Sequence, residues 1–312
     1  MKDAPAPEAA TPEVAVIAPH LNQPEHLAAF LASLFAQDFD MGRAEVIIVD
    51  NGSRPLPQAV TGRFPGVRLV EEGVPGPGPA RNRGAALAGA PILVFADADC
   101  RVAPDWLPRI LARFAADPGL AALGGDIRVF PAVPGRPAPA EAYEAVYAFR
   151  QQLYIERQGY SVTANMAVRR SVFAAVGGFG GISMAEDNDW GRRAREMGHV
   201  TVYAPEVRVT HPARATLGEI EAKWARLISH HHAAEARGLK GRARWTLKAL
   251  ALAASPLAEI PRVIGSDRLA SARERRLAFQ ALVAVRLFRA RRMLAVMLRP
   301  SARPGTARWN RR

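Results

Sequence analysis

The chain has 312 residues, 49% of them hydrophobic and 23% charged, with a single cysteine. That is enough apolar material for one large core or two modest domains, and it excludes a disulfide mini-protein, a collagen and a wholly disordered chain. The net charge of +13 sits at one end: residues 219–312 hold 21 Lys and Arg against 6 Asp and Glu, while the rest carries 21 against 23.

Residues 1–13 have no apolar stretch of signal-peptide type and read as a short disordered arm. Val14–Ala18 reads as a buried strand, and Pro24–Gln37 as a helix with Leu27, Phe30, Leu31, Leu34 and Phe35 on one side. Ala44–Val49 and Val67–Val70 are the next strands, then a small-residue helix over Pro79–Ala88 and a strand over Ile92–Ala96. Strands alternating with helices predict an α/β fold with a mainly parallel sheet, whose ligands lie outside the carboxyl ends of its strands.

Between Asp99 and Pro131 no element is assigned. Pro131–Pro139 is a Pro-rich loop, and Ala140–Arg157 follows as one amphipathic helix. Val162–Val168 is a strand, Arg170–Val176 a short helix ended by Gly177-Gly178, and Asp187–Met197 another helix. Val200–Val209 is a strand that leads to His211. From Leu217 the pattern is helical and basic, with breaks near Gly238–Gly241, Pro256, Pro261 and Gly265.

In Leu277–Leu298 apolar residues such as Phe279, Leu282, Val285 and Met293 stand beside Arg286, Arg289, Arg291 and Arg292. A basic amphipathic helix of this kind reads as an anionic-membrane contact, or as a helical cap with its arginines in water. No stretch reaches the roughly 18–20 uncharged apolar residues of a spanning helix.

Chemistry concentrates at the strand ends. Asp97-Ala98-Asp99 follows a buried apolar strand, where two carboxylates one residue apart can converge on a hard divalent cation held to a diphosphate. Asp50 ends the neighbouring strand and can accept from a base N–H or a ribose hydroxyl; before Asn-Gly it can equally be a turn residue. Arg81 and Asn82 open a helix after a Gly/Pro loop, which puts a guanidinium and free N–H groups where a pyrophosphate could sit. His230-His231-His232 point in different directions on a helix and cannot all hold one ion. Cys100 reads as a small buried residue; it has no partner for an internal disulfide, which fits a reducing compartment.

Five ordered motifs carry a family resemblance over about residues 14–215. They are Val14–Asn22 with its Pro19-x-x-Asn22 turn, Ile47–Ser53, Gly78–Gly84 around Ala80-Arg81-Asn82, Asp97-Ala98-Asp99, and Thr163–Arg169 followed by Gly177-Gly178-Phe179 and Glu186-Asp187. The sequence resembles glycosyltransferase family 2, the inverting enzymes with the GT-A fold. It departs from the usual pattern at Ala18 and at His20-Leu21, where aromatic residues are common.

The resemblance implies a GT-A, Rossmann-like mixed and mainly parallel sheet flanked by helices over 14–215, with a nucleotide-binding half (14–100) and an acceptor-binding half (101–215). A basic helical region, 216–312, follows. It implies that Asp50 holds the nucleobase, that Arg81 approaches the diphosphate, and that Pro19, Asn22, Asn82 and Ala98 lie with them on the nucleotide side. Asp97 would contact ribose or the metal, Asp99 would bind Mg²⁺ or Mn²⁺ directly, and His211 would lie near the metal. Asp187 would be the catalytic base, with Glu186 or Asp189 as alternatives, and Asn165, Glu186 and Trp190 would face the acceptor; for Trp190 a plain core position is equally open.

The reaction implied is transfer of a sugar from a nucleotide-diphosphate sugar, UDP being commonest, to a hydroxyl of a saccharide or lipid-linked saccharide, in cell-envelope or exopolysaccharide synthesis. The expected location is cytoplasmic, peripheral on the inner membrane face, with no nucleic acid partner. Two other classes stand beside it. A sugar nucleotidyltransferase would show a Gly-rich basic loop after the first strand, where this chain has Pro19-His20-Leu21-Asn22-Gln23. A nucleic-acid or anionic-surface binder would act through the basic region and show a steep salt dependence.

Overall fold

The structure, a computed structural model, describes residues 12–181, 185–235 and 238–298. Most of the expected 1–13 arm, and the side chains of His230–His232, lie outside the described residues. The described residues divide into two compact units: 12–127 with 149–211, and 128–148 with 212–298.

The first unit is built on an eight-stranded sheet of order β3-β2-β1-β4-β7-β6-β8-β5. The nucleotide-side strands are β1 (Val14–His20), β2 (Ala44–Asp50), β3 (Val67–Glu71) and β4 (Ile92–Ala96). They alternate with helices α1 (Pro24–Phe35), α2 (Gln58–Thr61) and α3 (Pro77–Leu87). β1 pairs in parallel with both β2 and β4, and β2 with β3. Successive strands thus step one way from β1 and then cross back to its other side, which makes the carboxyl ends of β1 and β4 a topological switch point.

Further elements of this unit are β5 (Arg101–Val102), α4 (Trp106–Ala116), β6 (Ala122–Phe130), β7 (Asn165–Arg169), α7 (Arg170–Val176), α8 (Glu186–Glu196) and β8 (Thr201–Pro212). The last residues of β6 and β8 belong to the second unit. β7 runs antiparallel to β4 and to β6, so β1 to β4 and β6 all point the same way. β5, α4 and β6 occupy the stretch where no element was assigned.

Period-two alternation sorts the side chains into two cores. Val14, Val16, Ala18, Val46, Ile48 and Val94 face Leu27, Phe30 and Leu31 of α1 and Trp106, Leu107 and Ile110 of α4. Ala15, Ile17, Ile47, Val49, Leu93 and Phe95 face α3, α7 and α8. Each fully buried Leu, Ile or Phe contributes about 1.5–3 kcal/mol.

The second unit is helical: α5 (Pro139–Tyr147), α9 (Leu217–Glu235), α10 (Gly238–Ala254), a turn over Ser255–Glu259, α11 (Ile260–Ile264) and α12 (Ala272–Leu298). α12 supplies much of its core. Ala278, Ala281, Leu282 and Val285 pack with Tyr143 of α5, while Met293 and Val296 pack with Trp245 and Ala249 of α10.

The expected helix 140–157 is broken. α5 stops at Tyr147, Phe149 adopts a positive φ of 40°, and a short α6 (Gln151–Leu153) runs into a π-helical turn over Tyr154–Gln158. Phe149 already belongs to the first unit, where its ring packs 4.7 Å from that of His211. One amphipathic helix cannot serve two cores, so the backbone turns there.

Candidate functional site

All of the site lies in the first unit, at the carboxyl ends of β1, β2 and β4 and at the start of α8. Asp97, Asp99 and His211 each offer one ligand atom within 4.8 Å of the others. Asp99 and Asp97 sit on the turn that leaves β4, and His211 near the end of β8. His211 Nε2 lies 3.3 Å from Asp99 Oδ1. That oxygen is buried and accepts no hydrogen bond. Burial first, and then the neighbouring Asp97, raises the Asp99 carboxyl, with His211 opposing. Two carboxylates and an imidazole around a buried, unbonded oxygen fit a hard divalent cation, which would supply the missing partner.

Arg81 joins this cluster to the second one. It is 3% exposed, pairs with Asp97, and donates from Nη1 to Glu186 Oε1 at 3.3 Å. α3 begins at Pro77, so Arg81 lies in its second turn; Pro77 and Pro79 carry no N–H. The expected row of free amides at Arg81-Asn82 is therefore absent. Asn82 is likewise turned inward: its amide donates to Phe179 O at 2.9 Å and accepts from Phe179 N at 2.8 Å. It clasps the Gly-Gly-Phe loop.

Asp50 is fully buried. Its Oδ1 accepts from His20 Nδ1 at 2.8 Å, and its Oδ2 accepts from Gly52 N at 3.1 Å and Ser53 N at 2.7 Å. His20 Nε2 accepts from Gln23 N at 3.2 Å, which assigns the ring proton to Nδ1. Burial acts to raise the Asp50 carboxyl, but the bonds from His20 and Ser53 outweigh it and hold it low. The carboxylate thus organises the loop after β1 instead of presenting itself to a base. Ser53 Oγ accepts from Asn22 N at 2.8 Å, and exposed Asn22, at φ 52°, caps Arg54 N with its Oδ1. Pro19 is half-buried and Ala98 buried beside these groups.

Two residues expected at the acceptor are structural. Trp190 is 1% exposed, packs against Phe173 and Phe179 and donates from Nε1 to Gly177 O at 3.0 Å. Asn165 is 1% exposed; it accepts from Trp106 Nε1 and donates to Asp126 O and Val207 O, all at 2.9 Å. Neither can touch a sugar.

The three acids at the start of α8 are separated by their partners. Asp189 accepts from Arg192 at 3.1 Å and Arg193 at 2.9 Å, and these bonds outweigh burial and lower its carboxyl. Glu186 pairs with Arg81. Asp187 accepts from Asn188 N at 2.8 Å, and burial, with Glu186 beside it, pushes its carboxyl up to about 6. The helix N-cap is Ala185, which places Asp187 inside the first turn.

An aromatic pair beside this carboxyl escaped the sequence reading. Tyr160 stacks on Tyr154, centroids 5.3 Å apart with 7° between the rings. Burial and the charge of Asp187 raise its phenol. The signal was Gly191: a Cβ there would stand 2.4 Å from Tyr160 Cβ.

Residues 15–177 match the profile of Glycosyl transferase family 2. The chain is 29% identical over 222 residues to glycosyltransferase AglE of Haloferax volcanii, across 69% of this chain and 72% of that protein. Among solved structures it resembles mannosyltransferase PcManGT from Pyrobaculum calidifontis in complex with GDP-Man and Mn²⁺, with TM-score 0.59 and 20% identity over 95% of this chain and 90% of that one. It also resembles GalNAc-T7 with UDP, GalNAc and Mn²⁺, with TM-score 0.50 and 16% identity over 66% and 45%. At those identities the structural likeness carries the fold.

Proposed function

The chain belongs to glycosyl transferase family 2 and is a glycosyltransferase of GT-A fold, and from that premise we propose an inverting, metal-dependent transfer. The donor is a nucleotide-diphosphate sugar, UDP-linked first and GDP-linked next, since structural neighbours were solved with UDP and with GDP-Man. The acceptor is a hydroxyl of a saccharide or lipid-linked saccharide used in envelope or exopolysaccharide synthesis.

The observation that carries the reading is the Asp97, Asp99 and His211 cluster, with its buried unbonded oxygen, at the switch point of the sheet. These three residues would hold Mg²⁺ or Mn²⁺, which when bound supplies charge neutralisation to a leaving diphosphate. Arg81, fixed by Asp97 and Glu186, positions both carboxylates and supplies a nearby positive charge. Asp187 takes the proton of the acceptor hydroxyl as its oxygen bonds to the anomeric carbon and the bond to the diphosphate breaks on the opposite face. It suits the task because Asp189 is committed to two arginines and Glu186 to one. The Tyr154–Tyr160 pair offers an aromatic face for a sugar beside it.

The test is calorimetric binding of UDP, GDP and dTDP, each with and without Mn²⁺, to the intact protein and to Asp99→Ala. Binding of one nucleotide that requires Mn²⁺ and vanishes in the variant is expected. Silence with all three, in folded protein, overturns the reading.

A further inference from the structure

Helix α10 buries one side and leaves the other open. Trp245 and Ala249 enter the core of the helical unit beside Met293 and Val296. On the opposite side Leu247 and Leu250 are 67% and 56% exposed, and beyond the helix end Leu257 and Ile264 are 73% and 62% exposed. Leu247, Leu250 and Ala254 follow helical spacing, so they form one stripe. Single exposed aliphatics are ordinary on any surface, but four along one short helical stretch are not.

The flanking charge is of one sign. Arg242, Arg244, Lys248 and Arg262 are exposed along the same stretch. The one acid between Gly238 and Gly265 is Glu259; it is half-buried and paired with Arg262 and Arg286. An apolar stripe between cations, with no exposed carboxylate between Gly238 and Gly265, matches a surface that is itself anionic outside and apolar beneath. A soluble polyanion would use the cations and leave the leucines in water. An apolar protein groove would have no use for the cations.

We infer that α10, the Ser255–Glu259 turn and α11 form a surface that seats this protein on an anionic lipid bilayer. The aliphatic side chains enter the acyl boundary, and Arg242, Arg244, Lys248 and Arg262 meet phosphate headgroups. Among the described residues no helix is long and apolar enough to cross a membrane, so this contact lies in the interface plane. It deepens the proposed function by naming where a lipid-linked acceptor would be met; its purpose rests on that reading, while the lipid contact itself does not.

The experiment is flotation of the intact protein with vesicles, without metal or nucleotide. One set is phosphatidylcholine alone, the other phosphatidylcholine mixed with phosphatidylglycerol. The protein should float with the mixed vesicles at low salt and be released as salt is raised. Leu247→Gln/Leu250→Gln/Leu257→Gln should lower partitioning by about tenfold or more, because the apolar area that enters the acyl boundary is lost. Arg242→Gln/Arg244→Gln/Lys248→Gln should remove the preference for phosphatidylglycerol. All six positions are exposed, so both variants should keep the unfolding temperature of the parent, which a melt checks. Absence of flotation with mixed vesicles at low salt overturns the inference. So does parental binding by both variants, or displacement of the protein from vesicles by duplex DNA or RNA. Asp99→Ala should float like the parent, so loss of nucleotide binding and loss of lipid binding are read separately.

Discussion

Asp187 carries two opposed expectations. As a base it must be ionised, and its carboxyl lies near 6, so kcat/KM should fall below that pH along an acidic limb. Asp187→Asn should lower kcat by about 10²–10⁴-fold, the span of general-base catalysis. For stability the sign reverses. The folded state holds this proton more tightly than the unfolded chain, whose value is 3.8, so the contribution of this one group to stability is greatest below pH 4 and declines as pH rises towards 6. Removing the charge should therefore raise stability at pH 7 by about 1–2 kcal/mol after solvent screening. A melt of Asp187→Asn above the parent, with turnover lowered by that factor, is the expected pair; a lower melt would show the carboxylate stabilises the fold. Asn165 predicts the contrary pattern. Asn165→Ala would take the acceptor from buried Trp106 Nε1 and one donor each from Asp126 O and Val207 O, at a cost of about 2–4 kcal/mol, while the folded fraction keeps its nucleotide affinity. The residue types at the strand ends were legible in the sequence. Which of them faced outward was not, since Asp50 and His20 are 30 positions apart and Asn82 and Phe179 are 97 apart.

At the scale of elements, glycines set how closely the site's supports approach. A Cβ on Gly78 would stand 2.2 Å from the backbone oxygen of Gly180. A carbonyl cannot rotate aside as a side chain can, so Gly78→Ala must push α3 from that loop. It should destabilise by about 1–3 kcal/mol and, because Arg81 is carried on α3, weaken Mn²⁺-dependent nucleotide binding. Calorimetry beside a denaturation curve checks both. The strand and helix pattern of the first hundred residues was readable because β1, β2 and β4 are continuous apolar runs buried on both faces. In α12 the arginines divide: Arg291 and Arg292 are exposed, as a water-facing side requires. In the fold Arg286 is paired with Glu259 and Arg289 lies over the ring of Trp224, 3.4 Å from its centroid. The apolar stripe that does face out belongs to α10, where alanines between the leucines made the pattern weak.

Over the whole molecule, occupancy of the site should be visible as stability. A ligand that binds only the folded state adds about 2.7 kcal/mol at a hundredfold excess over Kd. Mn²⁺ with the cognate nucleoside diphosphate should thus raise the unfolding temperature of the parent and leave that of Asp99→Ala unmoved; equal shifts in both would dissociate stabilisation from the Asp99 site. The sequence by itself determined the α/β alternation, the carboxylates at the carboxyl ends of the strands, the family and the segregation of positive charge. All of these are local in the chain: a strand's apolar run, a motif's spacing and a count of arginines need no knowledge of distant neighbours. Only the tertiary structure decided which polar groups are buried in the fold and which stay available. Burial is set by what packs on a residue from far along the chain, and that turned Asp50, Asn165 and Trp190 inward while leaving Asp99 and Asp187 partly open at the site.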